Sequence, residues 1–376
     1  MKLKLAWGWG KTLAEHEHDR ENNYQLLRFI AAMAVVYGHS YALSLLRGGH
    51  DLVQRALGFT YSGDLAVEMF FVISGFLVTA SYLHRDDLAV FAKARILRIF
   101  PALFVCLFVT VFIWGPLVSS VSVQEYFASP LTWKYLAYTA PLWKAQMELP
   151  GVFLGSPRPA MNGPLWTLPA EIRMYIVVAL FGVAGILRRR WLANLALGAL
   201  AVCLVLTPDL VPMLSIVKKF AHLALIFCVG MAFYINRDWV RLDWKILVLL
   251  FIFALVMRAL GYFPLGWTVF FLYATMWLVY VPDFHWYNRV GDYSYGVYIY
   301  GWPVQETLVQ WFPGLTPVEL FFAAAAGTLP LAALSWHLVE QPALQLKQVP
   351  VRKMLGRFGE ALVREFSKLD RFGSKD

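Results

Sequence analysis

The sequence predicts an all-α polytopic membrane protein with about ten transmembrane helices and both termini in the cytoplasm. Three observations carry that prediction. Apolar residues fill 59% of the 376 positions and charged residues only 15%, the mean hydropathy is +0.57, and the apolar residues gather into runs of bilayer length. An ordinary soluble domain has roughly 45–50% apolar and about 25% charged residues, so a soluble globular chain is excluded. A β-barrel is disfavoured because its strands show short dyad alternation, whereas these runs are continuously apolar.

Residues 1–23 contain Lys2, Lys4, Lys11, Glu15, His16, His18 and Asp19 and lack the apolar core and small-residue cleavage site of a secretory leader. They are expected to form an uncleaved cytoplasmic segment, with the first span directing insertion. A helix crosses ~30 Å of hydrocarbon with about 20 apolar residues at 1.5 Å each. Ten stretches qualify: 26–46, 65–84, 96–115, 165–187, 191–208, 217–235, 244–262, 265–282, 291–312 and 317–338. They define a transmembrane domain over 24–343. Its longest connection, 116–164, carries Pro116, Pro130, Pro141, Pro150, Pro157, Pro159 and Pro164 among many aromatics, the composition of an ordered external cap with short interfacial helices. The tail, 344–376, sets Lys347, Arg352, Lys353, Arg357, Arg364 and Lys368 against Leu355, Phe358, Leu362 and Phe366 at helical spacing. That pattern suits a basic amphipathic segment lying on anionic membrane lipids. Cys106, Cys203 and Cys228 fall inside apolar runs without metal-site or disulfide spacing, and no metal is expected.

A net charge of +9 on a soluble protein would raise nucleic acid as a partner. Topology accounts for it instead. With the N-terminus inside, 23 of the 33 Lys and Arg fall on the cytoplasmic side and eight on the other, leaving Arg28 and Arg173 within spans. The positive-inside rule then puts both termini in the cytoplasm, and no nucleic acid is implied.

Ionisable groups inside a span are costly and point to function. In the first span Arg28 and His39 stand eleven residues apart, about three turns, so they share one helix face roughly 16 Å apart along the axis. A snorkelling arginine and an interhelical histidine are the structural alternative. Ser74 and Gly75 in the second span, within Phe70-Phe71-Val72-Ile73-Ser74-Gly75-Phe76-Leu77, allow close approach of another backbone or a ligand. Arg95 and Arg98, three apart before Pro101, occupy neighbouring positions of one face, and their forks suit phosphate oxygens as well as positive-inside anchoring. Helical rise from the outer ends of their spans puts Glu171 and His39 at a similar depth of roughly 10 Å. A carboxylate there would orient the imidazole and stabilise imidazolium, as a general base needs. Pairing of Glu171 with Arg28 competes with that arrangement.

Together these segments resemble the acyltransferase 3 family of integral-membrane acyltransferases that O-acylate bacterial surface carbohydrates. Arg28 and His39 match its arginine, ten residues and histidine. Phe70 to Leu77, Arg95 and Arg98 with Pro101, Leu165-Trp166-Thr167-Leu168-Pro169-Ala170-Glu171, the run Tyr293-Ser294-Tyr295-Gly296-Val297-Tyr298-Ile299-Tyr300, and Val339-Glu340-Gln341-Pro342 follow in order. The likeness spans about residues 22 to 343. Two departures stand out: many members have a histidine after the tyrosine run, where this chain has Gly301-Trp302-Pro303, and a second acidic residue after the glutamate is replaced by Ile172.

The resemblance implies acyl-CoA, most often acetyl-CoA, as co-substrate, with no permanently bound cofactor, and an enzyme of the bacterial inner membrane. Arg28, Arg95 and Arg98 would hold the CoA phosphates, and the arm would pass Ser74 and Gly75 toward His39. His39 would deprotonate the acceptor hydroxyl while Glu171 orients its ring. Tyr37, Ser40 or Tyr175 would assist the oxyanion, and Trp166, Trp143 and Tyr138 would stack on sugar faces. The expected partners are the acyl-CoA, a carbohydrate or lipid-linked glycan acceptor, membrane lipids and polysaccharide-biosynthesis proteins. The alternative function is a proton-coupled transporter or flippase of a glycan-related substrate, with His39, Glu171 and Arg28 as a relay.

Overall fold

The structure, a computed structural model, describes residues 10–16, 22–46, 49–216 and 218–350. The amphipathic stretch expected beyond residue 350 and the basic residues Lys2 and Lys4 lie outside the described residues. Ten long helices coincide with the ten apolar stretches: α1 Tyr24–Leu43, α2 Ser62–Arg85, α3 Leu88–Val109, α4 Thr167–Val183, α5 Arg190–Leu206, α6 Lys218–Ile235, α7 Trp244–Ala259, α8 Phe263–Tyr280, α9 Ser294–Trp311 and α10 Pro317–Ser335. Six segments are long and apolar enough to cross a membrane: Tyr24–Leu43, Ser62–Arg85, Leu88–Val118, Gly163–Val183, Phe263–Tyr280 and Pro317–Gln348. The chain is an all-helical multi-pass membrane protein. Among the described residues the only β-pairings are two isolated bridges.

Local chemistry sets the helix ends. The Asp87 carboxylate accepts from Val90 N at 3.0 Å and starts α3, immediately after α2 closes on Asp86 in a left-handed conformation at φ 48°. Thr316 and Glu319 form a reciprocal capping box at the start of α10, satisfying backbone donors that a helix start leaves open. Two helices run on through π turns, α3 through Thr110–Trp114 and α10 through Trp336–Glu340. Because α3 continues helically to Val118, the connection begins at Ser119. It holds helices Val123–Ala128 and Pro130–Thr139 and a 3-10 turn, Gly163–Trp166. Tyr126 and Tyr135 are fully buried beneath it, and the Tyr126 hydroxyl donates to Val111 O at 3.1 Å, pinning this cap to the end of α3.

The centre of the bundle is α2, packed against α1, α4 and α6, while α9 lies between α1 and α10, and α7 pairs with α8. The α2–α6 crossing is the tightest constraint. A Cβ on Gly75 would sit 2.2 Å from the Phe227 carbonyl oxygen, and one on Gly230 would sit 2.2 Å from that of Val72. Small residues let membrane helices approach this closely. Gly75 therefore faces α6, which corrects the expectation that it lines a ligand path: its missing side chain makes room for a backbone.

Gly75→Ala or Gly230→Ala is expected to separate α2 from α6 and destabilise the protein by about 1–3 kcal/mol, the usual cost of overpacking. Thermal unfolding in detergent, with Gly198→Ala as a control in open space, checks this; equal melting temperatures for all three variants would contradict the packing assignment.

Candidate active site

Three adjoining cavities run along the bundle between α1, α2, α4 and α9. The first lies near the α3 entrance, at the end where α1 begins. It has about 70 Å³ and is lined by Arg28, Ser74, Arg95, Arg98, Glu171 and Tyr175. The second, about 50 Å³, shares Arg28, Ser74, Glu171 and Tyr295 with it and adds Val67, Thr167 and Tyr298. Those last three also line the third, a chamber of about 410 Å³ beneath the cap that contains His39, Tyr61, Arg158, Trp166 and Trp302. Arg28 and His39 thus face one row of cavities at its two ends, as their spacing on α1 requires.

At the first end, Asp292 organises the charges. Its Oδ2 takes Arg28 Nη1 at 2.7 Å and Arg98 Nη2 at 2.5 Å, and its Oδ1 accepts from Ser294 Oγ and Ser294 N. Burial alone would raise this carboxyl, but the two guanidiniums and the hydroxyl outweigh it and hold Asp292 below the usual carboxylate range. Arg95 is held differently. Its Nη2 reaches Ser81 Oγ at 3.5 Å and its guanidinium lies 5.6 Å from the Tyr175 ring centroid. Among the described residues it has no ion-pair partner, and its Nε is buried without a hydrogen bond. Lys347 is within electrostatic reach of Arg95 and Arg98. Of the three predicted arginines, Arg95 is the one whose charge no carboxylate already occupies.

Glu171 belongs to this end and not to His39. Its Oε1 accepts from Ser74 Oγ at 3.1 Å and from the Tyr175 hydroxyl one turn along the same helix face. No hydrogen bond joins it to His39 among the described residues. The expected His39–Glu171 pair is thus corrected, and the reason is geometric. Glu171 lies one turn past Thr167 on α4, and Thr167, hydrogen-bonded to Tyr298, lines with it both the small cavity of Glu171 and the chamber of His39. The two residues stand between the two groups. The carboxylates lining the His39 chamber are Asp64 and Glu148.

His39 stands edge-on to Trp302 with ring centroids 4.8 Å apart, and its Nδ1 is buried without a hydrogen bond. Trp302 is fixed by Nε1 donating to Ala160 O at 2.8 Å. Where the family resemblance leads to a histidine, Gly301 is closed off: a Cβ there would meet Val36 Cγ2 at 2.8 Å. The hydroxyls expected beside His39 point elsewhere. Tyr37 bonds Tyr41 at 3.2 Å, and buried Ser40 donates to Val36 O while accepting from Gln305 Nε2 at 2.7 Å. Neither lines the chamber, because each spends its polar atom on a neighbour within the bundle. Tyr61 takes that place. Its ring packs over Gly38 and Gly63, where a Cβ would come within 2.8 and 2.5 Å of it, and burial pushes its phenol up from the ordinary value, keeping the proton available for donation. Trp166 lines the chamber as expected, stacked on Phe220 at 5.7 Å, whereas Trp143 belongs to a neighbouring cavity.

Sequence reasoning did not find Asp292, Tyr61, Arg158, Tyr298 or Trp302. Asp292 is 264 residues from Arg28, and no local spacing announces such a partner. Tyr298 and Trp302, one turn apart, were legible only as members of the aromatic run and its break. Asp292→Asn would leave two buried guanidiniums without their counter-charge and is expected to cost about 3–5 kcal/mol. A comparison of melting temperature against the native chain at fixed detergent checks it; an unchanged value would remove Asp292 as the organiser of this end.

Comparisons with known proteins give the family. The family described as an acyltransferase domain matches residues 21–337. An O-acetyl transferase of Shigella phage Sf6 is 31% identical over 336 residues, covering 86% of this chain and 96% of its own length. Nodulation protein 10 of Rhizobium leguminosarum bv. viciae is 29% identical over 387 aligned positions, 91% of this chain and 98% of its own. The acyltransferase MdmB of Streptomyces mycarofaciens is 27% identical over 180 residues, 47% of this chain and 44% of its own. No solved structure matches. The ordered motifs, the multi-pass helical architecture and a family match over most of the chain agree: this protein belongs to the acyltransferase 3 family and is a membrane O-acyltransferase.

Proposed function

We propose that the enzyme transfers an acyl group, acetyl in the simplest case, from cytoplasmic acyl-CoA to a hydroxyl of an exported or cell-surface carbohydrate at the bacterial inner membrane. In this reading all ten helices span the bilayer within a domain over 24–343, both termini are cytoplasmic, and the capped chamber faces the opposite side. The observation that carries it is the row of cavities with arginines at one end and a histidine at the other. CoA bears phosphates at one end and a thioester at the end of a flexible arm, and Arg28 to His39 is roughly 16 Å along a helix axis. Arg95, without a carboxylate partner among the described residues, is the foremost phosphate ligand, with Arg28 and Arg98 held beside it by Asp292.

The acceptor hydroxyl would attack the thioester carbonyl carbon, forming the C–O bond as the C–S bond breaks. His39 takes the hydroxyl proton and returns it to the departing CoA sulfur, so the products are the ester and free CoA thiol. Tyr61, lining the same chamber, donates to the carbonyl oxygen as negative charge develops on it. Glu171 acts on the donor side, where it and Ser74 form polar walls past which the arm runs. The similarity to an O-acetyl transferase of a Shigella phage supports acetyl as the group transferred.

The passage between the arginines and His39 is narrow. The cavities there, about 50 and 70 Å³, are several times smaller than the chamber of about 410 Å³, so in this reading an arm crosses as Thr167 and Tyr298 part. Thr167→Trp is accordingly expected to abolish transfer while leaving CoA binding at the arginine end in place, read by titration of CoA onto the purified protein. Loss of both together would argue against a separate passage.

The central test is carbohydrate O-acetylation in cells lacking the protein, complemented with the native chain or with His39→Ala shown to reach the membrane at normal level. Native complementation should restore acetyl esters, and the variant should fall short by about 10²–10⁴-fold in rate. Full activity of the variant would make His39 structural. Restoration that needs no acyl-CoA would favour transport, since a carrier has no use for a thioester.

A further inference from the structure

Beside the His39 chamber, on the far side of Trp166 and Lys219, lies a separate cavity of about 470 Å³. Three aromatic rings, Trp143, Trp166 and Phe220, form much of its wall, and its charged lining residues are Lys144, Arg173 and Lys219. No carboxylate lines it. Arg173 is its distinctive member. The residue is only 5% exposed and lies inside the Gly163–Val183 membrane segment. One guanidinium nitrogen, Nη2, donates to Trp143 O at 2.9 Å, and the group lies 5.0 Å from the Phe220 ring centroid and 5.8 Å from that of Trp143. The other nitrogen, Nη1, is buried without any hydrogen-bond partner.

A buried guanidinium with an orphan donor and no counter-charge is costly. It is compensated most directly by an anion that brings its own acceptor oxygens. Arginine forks match the oxygens of phosphate, and Lys144 adds charge of the same sign, as does Lys219, whose exposed ammonium also lies 3.7 Å from Asp64 on the chamber side. The rim narrows the choice further, because Trp143 and Ile216 are 68% and 62% exposed there. An apolar rim around a cationic floor fits a molecule that is phosphate at one point and hydrocarbon at the next.

We infer that this cavity binds the phosphate of a lipid, with Arg173 and Lys219 on its oxygens and the chain emerging over Trp143 and Ile216. Because Met147, Trp166 and Lys219 line both this cavity and the His39 chamber, a group carried on that phosphate would enter the chamber directly. The acceptor is then a lipid-linked glycan. That last consequence rests on the acyl-transfer reading above, whereas the phosphate site stands without it.

The test is direct binding to the purified full-length protein in neutral detergent, followed by tryptophan fluorescence, with farnesyl phosphate as probe. Farnesol and inorganic phosphate are the comparison ligands. Saturable binding of farnesyl phosphate is expected, with farnesol at least about tenfold weaker and Arg173→Gln weakened by about the same factor, as loss of a charge-assisted contact implies. Arg173→Lys should recover part of the affinity, and Lys219→Gln provides a second probe of the same wall should Arg173→Gln fail to fold. Equal binding of farnesol and farnesyl phosphate, or undiminished binding by Arg173→Gln and Lys219→Gln, would overturn the site. Displacement by equimolar inorganic phosphate would overturn its assignment to a lipid. Since the readout is binding without acyl transfer, failure here leaves the His39 experiment unaffected.

Discussion

The double ion pair of Asp292 with Arg28 and Arg98 is the interaction on which the rest of the arrangement depends. It ties α1 and α3 to the segment that enters α9, three elements far apart in the chain. Two guanidiniums could not stay side by side at this depth unaided, because like charges repel more strongly as the local dielectric falls. By accepting both, one carboxylate oxygen makes a cluster of arginines compatible with a packed membrane interior. It also separates their tasks: Arg28 and Arg98 are held, while Arg95, against the Tyr175 ring, keeps its charge uncommitted.

From that anchor the polar groups divide into two sets along the row of cavities. Ser74, Glu171 and Tyr175 bond among themselves at the level of the arginines. His39, Tyr61, Arg158 and Trp302 line the chamber below the cap. Between them, Tyr298 donates its one hydroxyl proton to Pro164 O and accepts from Thr167 Oγ1, so hydrogen bonds make up the barrier. The tight α2–α6 crossing at Gly75 and Gly230 fixes the wall that carries Ser74.

The chamber side differs in kind from the arginine side. Its imidazole has no carboxylate partner among the described residues, and its walls are a mixture of aromatic rings and charged residues. Trp166 and Lys219 border both the His39 chamber and the cavity of Arg173, so two chemically distinct spaces meet at one aromatic and one cation.

Much of this protein was determined by the sequence alone. Apolar runs of bilayer length located all ten long helices, and the eleven-residue spacing of Arg28 and His39 put both on one face of α1, since rise and twist along a single helix are set by the backbone. The arginine triplet was legible for the same reason. What only the tertiary structure decided is which face of each helix meets which neighbour. Ser74 and Gly75 are adjacent in sequence, yet one reaches Glu171 and the other meets the backbone of α6. Equal depth suggested Glu171 as partner to His39, but the Thr167–Tyr298 contact intervenes and Glu171 bonds Ser74 and Tyr175 instead. Asp292, 264 residues from Arg28, could not be paired with it from any local pattern. Depth along a helix is a property of that helix's own sequence, whereas rotation and partner choice are settled by packing among segments distant in the chain.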